Sequence, residues 1–169
     1  APSATSGAQA PAAAAIAATK PATREQGIAA SPRIAIETPS LRGSIALKGA
    51  AFDDLSLVNY HETVDPKSPN IVLFSPLSEV GGYFARMGWA SSGKPVKVPD
   101  SETLWTSKTP GPLKPDAPVT LEWANDEGLI FRRIVSVDEN YMFSINDEVE
   151  NTSASDVALK PFARLFRFG

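Results

Sequence analysis

From residue 119 the chain reads Val119-Thr120-Leu121-Glu122-Trp123, then Asn125-Asp126-Glu127-Gly128, then Leu129-Ile130-Phe131-Arg132-Arg133-Ile134-Val135-Ser136-Val137. Val119, Leu121 and Trp123 alternate with Thr120 and Glu122, which is the period of a half-buried strand. The Asn-Asp-Glu-Gly cluster is a turn by composition, and the nine residues after it read as a second strand. Asp138-Glu139-Asn140 turns the chain again. Tyr141 to Asn151 follows as a third strand, with Tyr141, Phe143, Ile145 and Val149 expected inward.

The same texture extends in both directions. Thr152-Ser153-Ala154-Ser155 is another turn, and Val157–Phe168 alternates, with Ala158, Lys160, Phe162, Arg164 and Phe166 sharing one face. Upstream, Ile34 and Ile36 alternate with Ala35 and Glu37. Leu41–Leu47 forms the next run and Gly49 stops it. Phe52, Leu55, Leu57 and Tyr60 belong to a further run that follows a turn-like Asp53-Asp54. Asp65–Asn70 is a loop by composition, and Ile71-Val72-Leu73-Phe74 is a short apolar strand closed by Ser75-Pro76. Tyr83–Ala90 reads either as a strand with Phe84 and Trp89 partly inward or as an aromatic loop. Short strands with a turn about every ten residues predict an all-β fold of antiparallel strands, a sandwich or a barrel, over residues 33–169.

Two segments differ. Residues 91–118 hold six prolines, at 95, 99, 110, 112, 115 and 118. Proline cannot donate to a central ladder, so this stretch is expected to run over the surface or along a sheet edge. Residues 1–32 are Ala/Pro-rich, with thirteen alanines in the first thirty positions and only Ile16 and Ile28 as larger apolar groups. Such a segment buries too little to offset its ordering entropy, so a flexible tether is expected there. The chain opens directly into this segment, with no charged start and no apolar stretch before it. Either a targeting segment was removed or the chain is a piece of a longer one.

Composition narrows the function classes. The chain has 169 residues and a formal net charge of −3, with no Cys and one His. The charge lacks the concentrated basic face that phosphate backbones require, so no nucleic-acid partner is expected. Zero Cys removes thiolate metal sites and Cys nucleophiles, and a single His removes multi-His clusters. No metal and no cofactor are expected. No apolar run approaches the roughly 18 residues that span a bilayer.

The remaining candidate chemistry is sparse. His61 could pair with Glu62 or Asp65, but a histidine at a strand end beside a loop explains it more simply. The acid pairs Asp53-Asp54, Asp126-Glu127, Asp138-Glu139 and Asp147-Glu148 read mainly as solvated turns, because neighbours in a strand diverge. Arg132-Arg133 reads as a solvated position. Tyr83, Phe84, Trp89 and Trp105 are the candidate interaction residues, grouped in an aromatic segment and a Pro-rich loop. Core packing and loop anchoring are the competing uses for such aromatics.

Leu41–Leu57, continuing through Asn59-Tyr60-His61-Glu62-Thr63, resembles the start of the large periplasmic domain of the YidC membrane protein insertases of Gram-negative bacteria. So does Asn70–Trp89, with Leu73-Phe74-Ser75-Pro76 leading to Tyr83-Phe84-Ala85. Ile134–Phe143 and Glu148-Val149-Glu150-Asn151 resemble that family's paired strands. The resemblance implies a super-sandwich similar to the galactose-mutarotase fold, on the periplasmic side of the inner membrane, with membrane segments on both sides in the full protein. It also implies a non-catalytic role, with Sec translocon subunits and nascent membrane proteins as partners. The family's domain is usually longer, so the sandwich is expected to be truncated on its C-terminal side, leaving an unpaired edge. The fold analogy supplies the alternative, a carbohydrate-binding or sugar-epimerising sandwich, for which His61 would be the sole imidazole.

Overall fold

A computed structural model describes residues 23–76 and 81–168. The expected tether over residues 1–22 lies outside the described residues. Ten strands follow one short helix, α1 (Arg24–Ala29): β1 (Arg33–Glu37), β2 (Leu41–Ala46), β3 (Ala51–His61), β4 (Asn70–Phe74), β5 (Tyr83–Ser91), β6 (Thr106–Ser107), β7 (Val119–Ala124), β8 (Leu129–Val137), β9 (Phe143–Asn151) and β10 (Leu159–Arg167). They form two sheets. One has the order β1-β2-β3-β5-β10, with β4 also paired to β3, and the other has the order β6-β7-β8-β9. Every pairing between these strands is antiparallel.

The core lies between the sheets and follows from the period of two. In β8, alternate residues Leu129, Phe131, Arg133, Val135 and Val137 are buried. Val119 and Leu121 of β7 lie on the same side, because they stand opposite Val135 and Arg133 in register. From the other sheet come Ile34, Ile36, Leu41, Ile45, Phe52 and Leu55. Each large apolar side chain removed from water in this layer stabilises the fold by about 1.5–3 kcal/mol.

The Pro-rich stretch keeps to edges, as expected, but its ends reach inward. β6 is the edge strand of the smaller sheet, and Leu113 bridges Ile36 beside β1. Leu113 is fully buried. Within the expected tether, residues 24–29 form α1. Thr23 and Gln26 make a reciprocal capping box there, which satisfies two donors at the helix start. Arg24 of this helix pairs with Asp54, and Arg33 with Asp53.

Those two acids correct the reading of Asp53-Asp54 as a turn. Both lie inside β3, and Asp54 stands opposite Ser44, whose hydroxyl donates to its carboxylate at 2.6 Å. Arginines distant in sequence replace the water that a turn would have supplied. Burial pushes the Asp53 carboxyl above its usual range, and the neighbouring Arg33 guanidinium partly offsets this.

Arg132-Arg133 is likewise not a solvated pair. Arg132 points outward to Glu122 and Glu150. Arg133 points inward and is fully buried. Its Nε and Nη2 each donate to Asp147, directly opposite on β9, at 2.7 Å. Its Cζ also stands 5.4 Å from the centre of the Trp105 ring. A bidentate pair of this kind favours the β8–β9 register observed, because a slip of one residue would part the guanidinium from the carboxylate it is matched to. Asp147→Asn is therefore expected to destabilise the domain by about 3 kcal/mol, whereas Arg133→Met with Asp147→Leu is expected to come close to wild type. Urea unfolding of the two variants checks this. Equal losses in both would show that the pair carries no such penalty.

Candidate functional site

The four candidate interaction residues occupy four different environments. Trp105 is only 3% exposed. Its backbone N–H donates to the Leu47 carbonyl at 2.9 Å, and its ring packs in the core under Arg133. It anchors the Pro-rich stretch, and its ring faces inward. Phe84 is buried too, but on the opposite side of the larger sheet. It stacks on Phe166 at 4.8 Å and on Phe168 at 6.3 Å. Phe84 and Trp89 lie five positions apart on β5, so the strand period places them on opposite faces and only Trp89 looks inward. Tyr83 is half-buried, edge-on to Phe74 at 5.2 Å.

Trp89 reaches an opening between the two sheets. Its ring lies 6.2 Å from Phe131 and is partly buried. With Leu129, Val149, Asn151, Val157 and Leu159 it lines a cavity of about 350 Å³ between β9 and β10. A neighbouring cleft of about 660 Å³ shares Leu129 and Val157 and is walled by Ser92–Val96 and by Ser153 and Ser155. β9 and β10 are the last strands of their sheets, so each has one backbone edge with no strand partner among the described residues. Inward-facing positions there are incompletely covered. Ile145 is 37% exposed and Leu165 is 66% exposed. Tyr141, expected inward, instead stands in the turn before β9 against Tyr60, 6.4 Å between ring centres.

His61 ends β3, and its Nδ1 lies 2.6 Å from the Ser68 carbonyl oxygen. The ring closes the β3–β4 hairpin, together with the bond from Glu62 N–H to Pro69 O at 3.0 Å. Among the described residues no three His, Asp or Glu side chains group to hold a metal ion. Nor does any described helix have the length and apolarity to cross a membrane.

A family profile described as the YidC periplasmic domain matches residues 33–168. The chain belongs to the YidC periplasmic domain family. It is 52% identical over 151 residues to a membrane protein insertase YidC of Methylobacterium radiotolerans, covering 88% of this chain and 24% of that protein. The corresponding protein of Bradyrhizobium diazoefficiens is 51% identical over 147 residues, covering 86% of this chain and 24% of its own length. That of Sinorhizobium fredii is 48% identical over 146 residues, covering 86% and 25%. The chain thus spans about a quarter of the length of these curated relatives. The matched span begins at the first residue of β1 and ends one residue past β10, so the family relationship covers every strand described.

Sequence reasoning missed Val157 and Leu159 as cavity-lining residues of this YidC-type domain. The signal was present, because the alternation over 157–168 places Leu159 opposite to Phe162. For His61, the hairpin role has a plain consequence. His61→Ala is expected to lower stability by about 1 kcal/mol, as for loss of one net hydrogen bond. It should also speed amide exchange at Glu62 and Ser68 while leaving β8 protected, which hydrogen-exchange mass spectrometry would resolve.

Proposed function

We propose that this domain serves a membrane protein insertase as a polypeptide-contacting module that performs no turnover of its own. In this reading it stands on the periplasmic side of the bacterial inner membrane. Nascent membrane proteins and Sec translocon subunits are its partners. Membership of the YidC periplasmic domain family supports the setting. The observation that carries the contact itself is the open side of the sandwich. There the unpaired backbone edges of β9 and β10 flank a cavity lined by Trp89, Leu129, Val149, Val157 and Leu159.

The physics of that side suits an extended segment. A free strand edge offers N–H and C=O groups at the repeat of a β-strand, and apolar pockets beside it accept alternate side chains. A polypeptide caught before it folds presents both features. The affinity would be modest, since the segment must be ordered as it binds. The aromatic Trp89 supplies a large contact area at low entropic cost.

A photoreactive residue at Trp89 or Leu159 of the full-length insertase in membranes is expected to crosslink to a nascent membrane protein or a Sec subunit. The same probe at Lys114, remote from the opening, should give none. Crosslinks of equal yield from all three positions, or from none, would count against the reading.

A further inference from the structure

The larger sheet has a second face, turned away from the core, and its chemistry is different. Residues 157–169 contain Lys160, Arg164 and Arg167 and no acidic residue, in a chain whose net charge is −3. On β10 the outward positions are Lys160, Phe162, Arg164 and Phe166, which face Ala90, Gly88, Arg86 and Phe84 of β5 in register. Arg86 and Arg164 therefore stand directly opposite each other on one face. Like charges in that relation repel and destabilise a sheet.

Neither arginine has a carboxylate partner among the described residues, although six other arginines and lysines bridge to acids: Arg24, Arg33, Lys48, Lys108, Arg132 and Arg133. The acids nearby are already engaged. Asp53 pairs with Arg33, and Glu102 with Lys48. The Asp100 carboxylate accepts from Glu102 N–H at 2.8 Å and from Thr103 N–H at 3.0 Å. Those bonds, the Glu102 amide first, hold the Asp100 carboxyl below its usual range. The Arg86 Nε is buried with no hydrogen-bond partner.

Aromatic rings position both guanidinium groups. The Arg86 Cζ lies 5.4 Å from the Phe84 ring centre and 5.9 Å from that of Phe166. The Arg164 Cζ lies 4.8 Å from the Phe162 centre. Both arginines line a cleft of about 290 Å³, walled by Pro99 and Ser101. Arg86, Ser101 and Phe166 also border a second cleft of about 490 Å³. Two unpaired guanidinium forks beside a compact cleft match one small anion with several oxygens, and phosphate fits that geometry best. Phe168, 41% exposed and stacked on Phe84, flanks the site with apolar surface. Basic groups interleaved with exposed apolar side chains are the pattern of a surface seated at lipid headgroups.

We propose that Arg86 and Arg164 form a binding site for the phosphate of an anionic phospholipid headgroup, which seats the outer face of β5 and β10 on the membrane. Phosphate is a shared chemistry, and the lipid source is favoured because the flanking Phe168 has an apolar phase to enter. The bound phosphate would neutralise a repulsion that the sheet otherwise bears. The site is distinct from the open side of the sandwich, so it stands or falls separately from the polypeptide-contact reading.

The test is flotation of the full 169-residue chain with vesicles of phosphatidylcholine alone or mixed with phosphatidylglycerol. The wild type is expected to float only with the mixed vesicles, and less at high salt. Arg86→Gln with Arg164→Gln is expected to reduce partitioning about thirtyfold, and each single change about fivefold. Lys67→Gln with Lys114→Gln, which makes the same charge change elsewhere, should stay within about twofold of wild type. Arg164 lies exposed on an edge strand, so its single variant keeps the test valid if Arg86→Gln fails to fold. Thermal unfolding adds a readout specific to the opposed pair: Arg164→Gln should unfold no earlier than wild type while losing vesicle binding. Equal flotation of wild type and arginine variants overturns the proposal, as does equal flotation with both lipid mixtures. Binding of inorganic phosphate, glycerol 3-phosphate or a polyglutamate peptide through the same arginines without vesicle binding also overturns the lipid assignment.

Discussion

Strand β8 packs one face against the larger sheet and takes neighbours on both edges, from β7 and β9. Its inward side chains Phe131, Arg133 and Val135 are fully buried. No other strand of the smaller sheet has this position, since β6 and β9 are edges and β7 is followed outward only by the two-residue β6. The layer between the sheets therefore holds together through β8. A one-residue slip there would expose Phe131 and Val135 and bury Arg132 and Ser136 instead. The Arg133–Asp147 pair adds a penalty to that slip that apolar packing alone lacks, because the slip parts the guanidinium from its bidentate partner and turns the charged Arg132 inward. It is best understood as specifying register, with little net stabilisation expected from the pair itself.

Much of this was readable from the residue pattern. The alternation in Ile34–Ile36, Val119–Trp123 and Leu129–Val137 located strands and core faces, because a period of two is a local property. What escaped was non-local. Asp53-Asp54 has the composition of a turn, and only the folded chain brings Arg24 and Arg33 over it. The inward direction of Arg133 followed from its neighbours Phe131 and Val135, yet a buried arginine is not expected unless its partner across the β8–β9 hairpin is known. Trp105 sits among prolines, which suggested a surface loop. Its bond to Leu47 across the chain is what turns it into the core. The candidate residues were thus assigned by local texture, and the fold divided them: Trp89 to the open side, Phe84 to the outer face, Trp105 to the core.

Charge is sorted by face in the same structure. Arg24 and Arg33 tie helix α1 and β1 to β3, and Arg132 ties three strands of the smaller sheet together through Glu122 and Glu150. The Arg132 guanidinium, by its hydrogen bond, is also the leading cause that holds the Glu122 carboxyl below its usual range. In each case a cation is matched to an acid on an adjacent element. Arg86 and Arg164 break that rule on a face where the rule was easy to keep, since a single acid in place of either would have made a cross-strand pair. Two guanidinium groups opposed across one ladder carry a cost that a bound anion would relieve.

The two unsatisfied regions differ in what they lack. The open side at β9 and β10 lacks strand partners and apolar cover, which are the needs of a backbone edge and a hydrophobic pocket. The outer face lacks anions, which is the need of a cationic pair. The two meet at β10, whose inward side chains border the opening and whose outward side chains carry the arginine and phenylalanine array. Because the residues of one strand alternate between these faces, displacement of β10 would alter both at once. A polypeptide paired to the β10 edge would hold the spacing of Phe162, Arg164 and Phe166 fixed on the other side. Rigidity of one strand is thus sufficient to link the contact at the edge to the seating of the face, with no change of fold required.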